Sequence, residues 1–573
     1  MTKLKREETD FKLLAELVRQ EQLANVKVIE DFSFPFNGQK RLTKINNCHF
    51  LGEVEFDNLQ FDRTLTFSNC HFDKKVNFNS CQFPSGLILL NCTFSSELLF
   101  IDPEFETLTF SGGKFHSIKF EGIINKGANS VNYLNFESGD YETVDFSCKE
   151  INAEITLKGG DFENVYFFKA IINNKFNING DDLNIRFMIF RKCIFNDMLD
   201  LSEGNVQGIL DFHIVTFNDQ FIFRDKFLCE SLHLSNIIAK QNVSINQDGN
   251  LQGVSLNNCD FNNNFECHYY SQSDQHLDYY FSCSLDGFIK GNVIFTDIPV
   301  TSIDVGCYNF GNILFRNTLS RLITLKNLQN YSKLTFANTQ LIPESPMFIV
   351  FDSNLGNTEF VNVDFRKFKE IVIATSEVSN IILSNSILPP RIQTGVINPI
   401  FGYNIKKNEI INNDIYYRES YRQLKVAMEK QGNTHSALIY KAMEMNYLRK
   451  ELKFGWDKVL LYLNYYSNKH GLSWSRGILF TLFVSYVLFI SYQLSLSKGI
   501  IISPLELNVV DLKTSVATTF DSFMDFLSSF PLYKKQSEEN SSWQTHLIIL
   551  LSRIFIGYGV YQTINAFRKF GSK

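Results

Sequence analysis

Large apolar residues recur through the first two-thirds of the chain with a period that no surface helix follows. Between Ile45 and Phe100 they fall at Phe50, Phe56, Phe61, Phe67, Phe72, Phe78, Phe83, Leu89, Phe94 and Phe100, and the steps alternate 6, 5, 6, 5 throughout. A smaller apolar residue stands two places before every other one: Val54, Leu65, Val76, Leu87 and Leu98. Further on the step becomes five, at Phe105, Phe110, Phe115 and Phe120, and again at Phe136, Tyr141, Phe146 and Ile151. Phe162 and Phe167 continue it after Leu157. Pieces such as Val54-Glu55-Phe56 alternate as strands do, and polar turn residues separate them. The pattern predicts a parallel β-solenoid whose short strands turn each Phe inward. Coils of about 20–22 residues would stack at roughly 4.8 Å, so Phe32 to Leu388 would form on the order of 16 coils and a rod of roughly 75 Å.

The small positions support this. Cys48, Cys70 and Cys92 are spaced by 22, and Cys81 lies 11 from both Cys70 and Cys92. Each stands two before a Phe. A metal or redox array would need C-x-x-C pairs or nearby His clusters, so a stacked column of small inward residues is the better reading. Asn47, Asn69, Ser80 and Asn91 precede these cysteines and predict a polar ladder at a solenoid corner, satisfying turn backbone groups.

The run Phe67-Ser68-Asn69-Cys70-His71-Phe72, followed by Val76-Asn77-Phe78 and Ser80-Cys81-Gln82-Phe83, resembles the pentapeptide-repeat family. The resemblance covers residues 45–170 and continues intermittently to about 390, as in Leu256-Asn257-Asn258-Cys259-Asp260-Phe261. It implies a right-handed quadrilateral β-helix. The stretch Asn263 to Asp286 leaves the register and reads as loops or irregular coils.

Past residue 400 the spacing becomes helical. Tyr417, Tyr421, Leu424 and Met428 share one face, Gly432-Asn433 interrupts, and Thr434 is the candidate N-cap of a second helix through Tyr440, Met443, Tyr447 and Leu452. The pair reads as a helical hairpin, either a spacer capping the solenoid or a partner-binding element. It resembles the helical segment that precedes the membrane helices of some membrane-bound pentapeptide-repeat proteins, and weakly a single tetratricopeptide unit.

Gly477 to Leu496 is 20 residues without a formal charge, long enough to cross a bilayer. A second apolar span, Thr545 to Phe567, is interrupted by Arg553. Trp474, Tyr492 and Trp543 stand near the ends, where interfacial aromatics belong. The expected fold class is therefore mainly β: a right-handed parallel β-helix, then an α-helical hairpin and two transmembrane helices. The expected boundaries are an N-terminal helical cap over 1–30, the solenoid over 31–395, the hairpin over 409–470, and the membrane hairpin over 474–570 with an external loop at 498–544.

Charge adds a direction. The chain carries a net −6, but residues 400–573 hold 21 Lys/Arg against 13 Asp/Glu, leaving the preceding residues at −14. Residues 441–476 hold seven basic residues against three acids, and the loop 498–544 holds four against six. By the bias of basic residues toward the cytoplasm, both termini face inward and the loop outward. The charged N-terminus, Met1 to Glu30, has no signal-peptide core, so the body is expected to stay in a reducing compartment. The expected location is a bacterial inner membrane.

Three features of the membrane segment are candidates for function. Arg553 within an apolar span is expected to pair, to snorkel, or to line an ion pathway. Phe520, Phe523, Met524, Leu527 and Phe530 lie on one side of a helix that Pro531 ends, with Asp521 and Asp525 elsewhere on it. Such a helix lies on the membrane or dips in as a pore helix. Gln562 in the second span completes the candidate set. Gly557-Tyr558-Gly559, which matches part of a potassium filter, sits inside the last helix and reads as small residues permitting close packing.

No phosphate-binding loop, dinucleotide fingerprint, zinc-protease motif or nucleophile elbow occurs, so no enzyme, cofactor or metal is expected. The expected partners are the lipid bilayer and an unknown protein, with no nucleic acid. The leading expectation is a membrane-tethered interaction or sensing scaffold. The alternative is a homo-oligomeric two-helix channel or pore-forming effector gated by the solenoid. A DNA-mimicking gyrase inhibitor, which the acidic body permits, ranks below both.

Overall fold

The computed structural model describes residues 22–29, 31–33, 42–126, 131–180, 182–247, 251–269, 281–342, 345–392, 413–495, 509–528 and 543–567. They form two compact units: one of residues 1–371 and 381–389, the other of 372–380 and 390–573.

The first unit is a parallel β-solenoid. Sixteen successive parallel pairings carry a single inward column from Leu23 through Ile45, Phe67, Leu89 and Phe110 to Phe336, Phe360 and Leu383. Most steps are about one expected coil, because the 11-residue sequence unit occurs twice per turn. In a second column Phe56, Phe78, Phe100, Phe120, Phe146, Phe167, Phe190 and Phe212 stack ring on ring, with centroids 4.3–5.1 Å apart. All eight are buried. Burial of a Phe contributes about 2–3 kcal/mol, so the column is a main source of the unit's stability.

The corners follow from asparagine. Asn25, Asn47, Asn58, Asn69, Ser80 and Asn91 all take φ between 50° and 58°, the left-handed region that Asn tolerates better than other side chains. Asn47 Nδ2 donates to Asn25 Oδ1 at 3.2 Å. A longer ladder runs through Asn385, Asn362, Asn338 and Asn317, each amide donating to the one before at 2.7–2.9 Å. The corner conformation expected at Asn47, Asn69, Ser80 and Asn91 is present at all four, while the amide ladder itself joins Asn47 to Asn25 and, further along, Asn385 to Asn317.

All eleven cysteines are buried and free. The Sγ of Cys81 donates to the Phe56 carbonyl at 3.3 Å, and Cys259 does the same to Leu234. Burial pushes the thiols of Cys81 and Cys259 up to about 12, so they behave as small inert fillers.

Two boundaries move. Gln22–Ala24 and Lys27–Val28 are strands paired with Lys44–Asn46 and His49–Phe50. The solenoid thus begins inside the stretch expected as a helical cap, whose remainder lies outside the described residues. The described ends of Asn263–Asp286, the stretch expected as loops or irregular coils, are strands. Asn264–His268 pair with Asn292–Thr296, and Gly253–Asn257 pair with Ser282–Asp286. Residues 270–280 lie outside the described residues. The step between paired positions is longer here, from Cys267 to Phe295, so the strict period is lost while the described strands keep their pairing.

The second unit is helical: α1 Asn413–Lys430, α2 Thr434–Glu451, α3 Trp456–Asn468, α4 Trp474–Ser495, α5 Val509–Ser528 and α6 Trp543–Phe567. The α1–α2 hairpin closes on stacked tyrosines, with Tyr417 and Tyr447 centroids 4.6 Å apart, and on the Lys425–Glu444 ion pair at 2.9 Å. Residues 372–380 dock on α1: Ser420 Oγ donates to the Ile373 carbonyl at 3.1 Å, and the Val378 N–H donates to Gln423 Oε1 at 2.6 Å. The N-cap of α2 is Asn433, not Thr434; its Oδ1 accepts from the Ser436 N–H at 3.1 Å. The connector is also three helices rather than a two-helix hairpin, because Gly455 separates α3 as an element of its own.

Candidate functional site

The two apolar helices pack on each other through small residues. Gly477 of α4 lies so close to α6 that a Cβ there would meet Thr563 Oγ1 at 2.6 Å, and a Cβ on Gly559 of α6 would collide with Thr481 Oγ1. Ser485 on α4 and Ser552 on α6 are buried as well. Gly559 thus has the packing role expected of the Gly-Tyr-Gly triplet. The outward faces are apolar: Leu479, Phe483, Ile554 and Ile564 are each more than half exposed. Only 17 % and 22 % of the most apolar windows of α4 and α6 are buried within the chain. At 22 and 25 residues both helices are long and apolar enough to cross a membrane.

The six residues singled out in this segment do not converge. Gln562 is buried near the end of α6, where its Nε2 donates to Asn464 Oδ1 at 2.7 Å and its Oε1 accepts from Asn468 Nδ2 at 2.5 Å. Tyr558 OH joins the same network, donating to Asn464 Oδ1 at 2.6 Å. Phe523 lies at the other end of α4, its ring against Tyr486 at 5.8 Å and Phe489 at 5.5 Å. Phe526, which the helical-face reading left out, packs beside it on Phe489 and Tyr492. Phe520 is 59 % exposed, on the same outward side as the exposed Asp521 and Asp525. The expected single apolar face is therefore split, with Phe523 and Phe526 against α4 and Phe520 and Met524 outward. Arg553 is half-buried midway along α6. Phe530 and Pro531 lie outside the described residues.

Sequence reasoning missed the network's other half. Asn464 and Asn468 stand four apart on α3, and that spacing of amides on a helix otherwise rich in Leu and Tyr was the available signal.

The solenoid adds two surface features. Phe288, Tyr308, Phe310 and Tyr331 form an outward aromatic strip, 52 %, 43 %, 48 % and 62 % exposed. Phe288 and Tyr308 pair in register, with centroids 5.1 Å apart, and Phe310 and Tyr331 stack at 5.1 Å. The inward Phe period drew attention away from these outward positions. The second feature is a trio. His49 and His71 are register partners in successive coils, and the Nε2 of each lies on Asp73 Oδ1, at 3.0 and 2.8 Å. Hydrogen bonding from His49 holds the Asp73 carboxyl below the usual carboxylate range. Two imidazoles and a carboxylate are a donor set that a transition metal ion accepts. On another part of this unit, an open groove of about 590 Å³ runs past Lys114, His116, Asp140, Glu142, Glu163 and Arg186. Its charges are paired, as in Lys114–Asp140 at 3.2 Å and Arg186–Glu163 at 2.9 Å.

No protein family, curated protein or solved structure matches this chain. Function must therefore be argued from these surfaces alone. What the described surfaces offer is apolar area: the outer faces of α4 and α6, and the aromatic strip.

Proposed function

We propose that this protein is a non-catalytic interaction scaffold: a pentapeptide-type β-solenoid tethered to a bacterial inner membrane by α4 and α6, with both termini cytoplasmic. The observation that carries the scaffold reading is the strip Phe288–Tyr308–Phe310–Tyr331. Contiguous exposed aromatics are costly on a free surface and are enriched where proteins meet. A solenoid holds them at fixed spacing, so a partner would find them preorganised. The tether reading is supported by the length of α4 and α6 and by how little of their apolar surface the chain itself covers.

The test is photocrosslinking of the full chain in membranes. A photoreactive phenylalanine at position 310 or 331 should trap a discrete protein partner, and the same group at an exposed position elsewhere on the solenoid, such as Lys169, should not. Equal, diffuse labelling at all three positions would overturn the scaffold reading.

A pore is the second reading, favoured by the outward grouping of Asp521 and Asp525 with Phe520 and Met524 on α5. The glycine contacts leave no channel between α4 and α6 of one chain, so conduction would require several copies. Current across planar bilayers containing the purified chain, removed by Asp521→Asn with Asp525→Asn, would replace the scaffold reading with this one.

A further inference from the structure

Helix α3 exposes large apolar side chains while it buries an amide. An amphipathic helix on a soluble domain turns its apolar stripe inward and its amides to water. In α3 the amides face inward: Asn468 is 1 % exposed and Asn464 is half-buried, both in the network with Gln562 and Tyr558. Several large apolar residues face outward, while Val459, Leu461, Leu463 and Tyr465 are half-buried. Trp456 is 89 % exposed, Leu460 51 % and Tyr466 64 %, and Phe454, two residues before the helix, is 93 % exposed. At 100° per residue, Trp456, Leu460 and Tyr466 fall within an arc of about 120°, which also holds the half-buried Val459 and Leu463; Asn464 lies about 40° and Asn468 about 80° beyond its Leu460 edge, so the amides flank the apolar arc. Leaving that much apolar area in water would forgo several kcal/mol.

The position of α3 says what covers it. Lys469, His470 and Gly471 all take positive φ, at 54°, 56° and 91°, and the Gly471 N–H donates to Asn468 Oδ1 at 2.8 Å. This tight turn sets the end of α3 level with the start of α4. At that level Trp474 of α4 stacks on Phe567 of α6 at 5.1 Å, and Asn468 bonds Gln562. The C-terminal end of α3 thus joins the apolar pair α4–α6 at one end of that pair. Lys453 before α3 and Lys469 after it are exposed, and Arg476 follows within α4.

We propose that α3 is an interfacial membrane helix. It buries Phe454, Trp456, Leu460 and Tyr466 at the boundary between headgroups and acyl chains, with Lys453 and Lys469 at the level of anionic lipid phosphates. The occupant of this face is the lipid of the leaflet in which α4 begins. The proposal rests on the reading that α4 and α6 cross the bilayer.

The chain's three tryptophans test it, because each reports on one element: Trp456 on α3, Trp474 on α4 and Trp543 on α6. Full-length single-tryptophan variants, the others replaced by Phe, are reconstituted in vesicles of three parts phosphatidylcholine to one part phosphatidylglycerol. Trp456 emission is expected to shift to the blue, to be strongly quenched by lipids brominated near the carbonyl end of the acyl chain, and to resist aqueous iodide. Iodide quenching of Trp456, with Trp474 and Trp543 shielded, would overturn the proposal and leave the spanning reading intact. Shielding of Trp456 from both iodide and brominated lipid would also overturn it, since protein would then cover the face. Iodide quenching of all three would remove the spanning reading and this proposal with it.

Discussion

The two units of this protein bury opposite chemistry. In the solenoid, Phe78, Phe100 and their column neighbours are buried, while Asn ladders and ion pairs stand at the surface. In the outer part of the helical unit, Asn468, Ser485 and Gln562 are buried, while Phe454, Trp456 and Phe483 are the exposed groups. The difference is what the proposed tether requires: water around the solenoid and an apolar medium around α4 and α6.

The sharpest way to break this comparison is to truncate one ring in each unit. Phe78 is stacked between Phe56 at 4.3 Å and Phe100 at 5.0 Å and is fully buried. Phe78→Ala should cost the solenoid about 3–5 kcal/mol, read from denaturant unfolding of the β-sheet circular-dichroism signal. Phe483 on α4 is 69 % exposed. Phe483→Ala, measured in detergent, should change stability by no more than about 0.5 kcal/mol, as for other positions outside a packed core. Equal losses at the two sites would mean that Phe483 is part of a core.

The next effect tests whether small residues, rather than large ones, hold α4 and α6 together. Gly559→Leu forces a side chain into Thr481 and should destabilise the α4–α6 pair by about 1–3 kcal/mol, read as a lower midpoint of helical melting in detergent. The solenoid transition should not move.

The two units were also unequally legible in the sequence. The solenoid announces itself because an inward column imposes the same residue class every half-coil, from Phe50 to Phe100 without exception. Period alone also misled: the longer step between Cys267 and Phe295 hid the strand pairing on either side of it, and Gln22–Ala24 lay upstream of the clear repeat. The two long apolar helices were visible as apolar runs, of the length and composition that a bilayer-crossing helix needs. The polar network was not visible, because Asn464 and Gln562 are 98 residues apart and only the fold brings them to 2.7 Å. The aromatic strip was hidden for a different reason. An outward Phe such as Phe288 has no periodic signature that separates it from an inward one.

Acid should separate the units more gently. Burial, helped by the Arg449 charge, pushes His470 down to about 4 from its ordinary 6.5. Its Nε2 is buried with no hydrogen-bond partner among the described residues. Above about pH 6.5 the imidazole is neutral whether the unit is folded or not, so it contributes nothing to pH dependence. As pH falls from about 6.5 toward 4, the unfolded chain binds a proton that the folded chain refuses, and the helical unit weakens. Below about 4 both states are charged and the loss levels off. The total should be on the order of 2 kcal/mol for this partly exposed ring. His470→Asn should flatten that window in a pH series of unfolding midpoints, and a slope that persists in the variant would assign it to another group.

The smallest effect compares one residue type in its two settings. Asn338 turns a solenoid corner with φ 56°, donates its amide to Asn317 Oδ1 at 2.9 Å and accepts from Asn362 Nδ2 at 2.7 Å. Asn433 caps α2 with negative φ, and its Oδ1 accepts from one backbone N–H. Asp serves as well as Asn at a helix N-cap, so Asn433→Asp should be neutral to within a few tenths of a kcal/mol. At 338 the same change removes the donor to Asn317 and sets a carboxylate against an amide oxygen. Asn338→Asp should therefore cost about 1 kcal/mol at neutral pH, by the worth of one exposed hydrogen bond, and less once acid protonates the new carboxyl. Asn338→Gly relieves the backbone but loses both amide links. If Gly at 338 proved as stable as Asn, the corner would be set by φ alone, and the ladder would be a consequence of the coil spacing rather than a contributor to it.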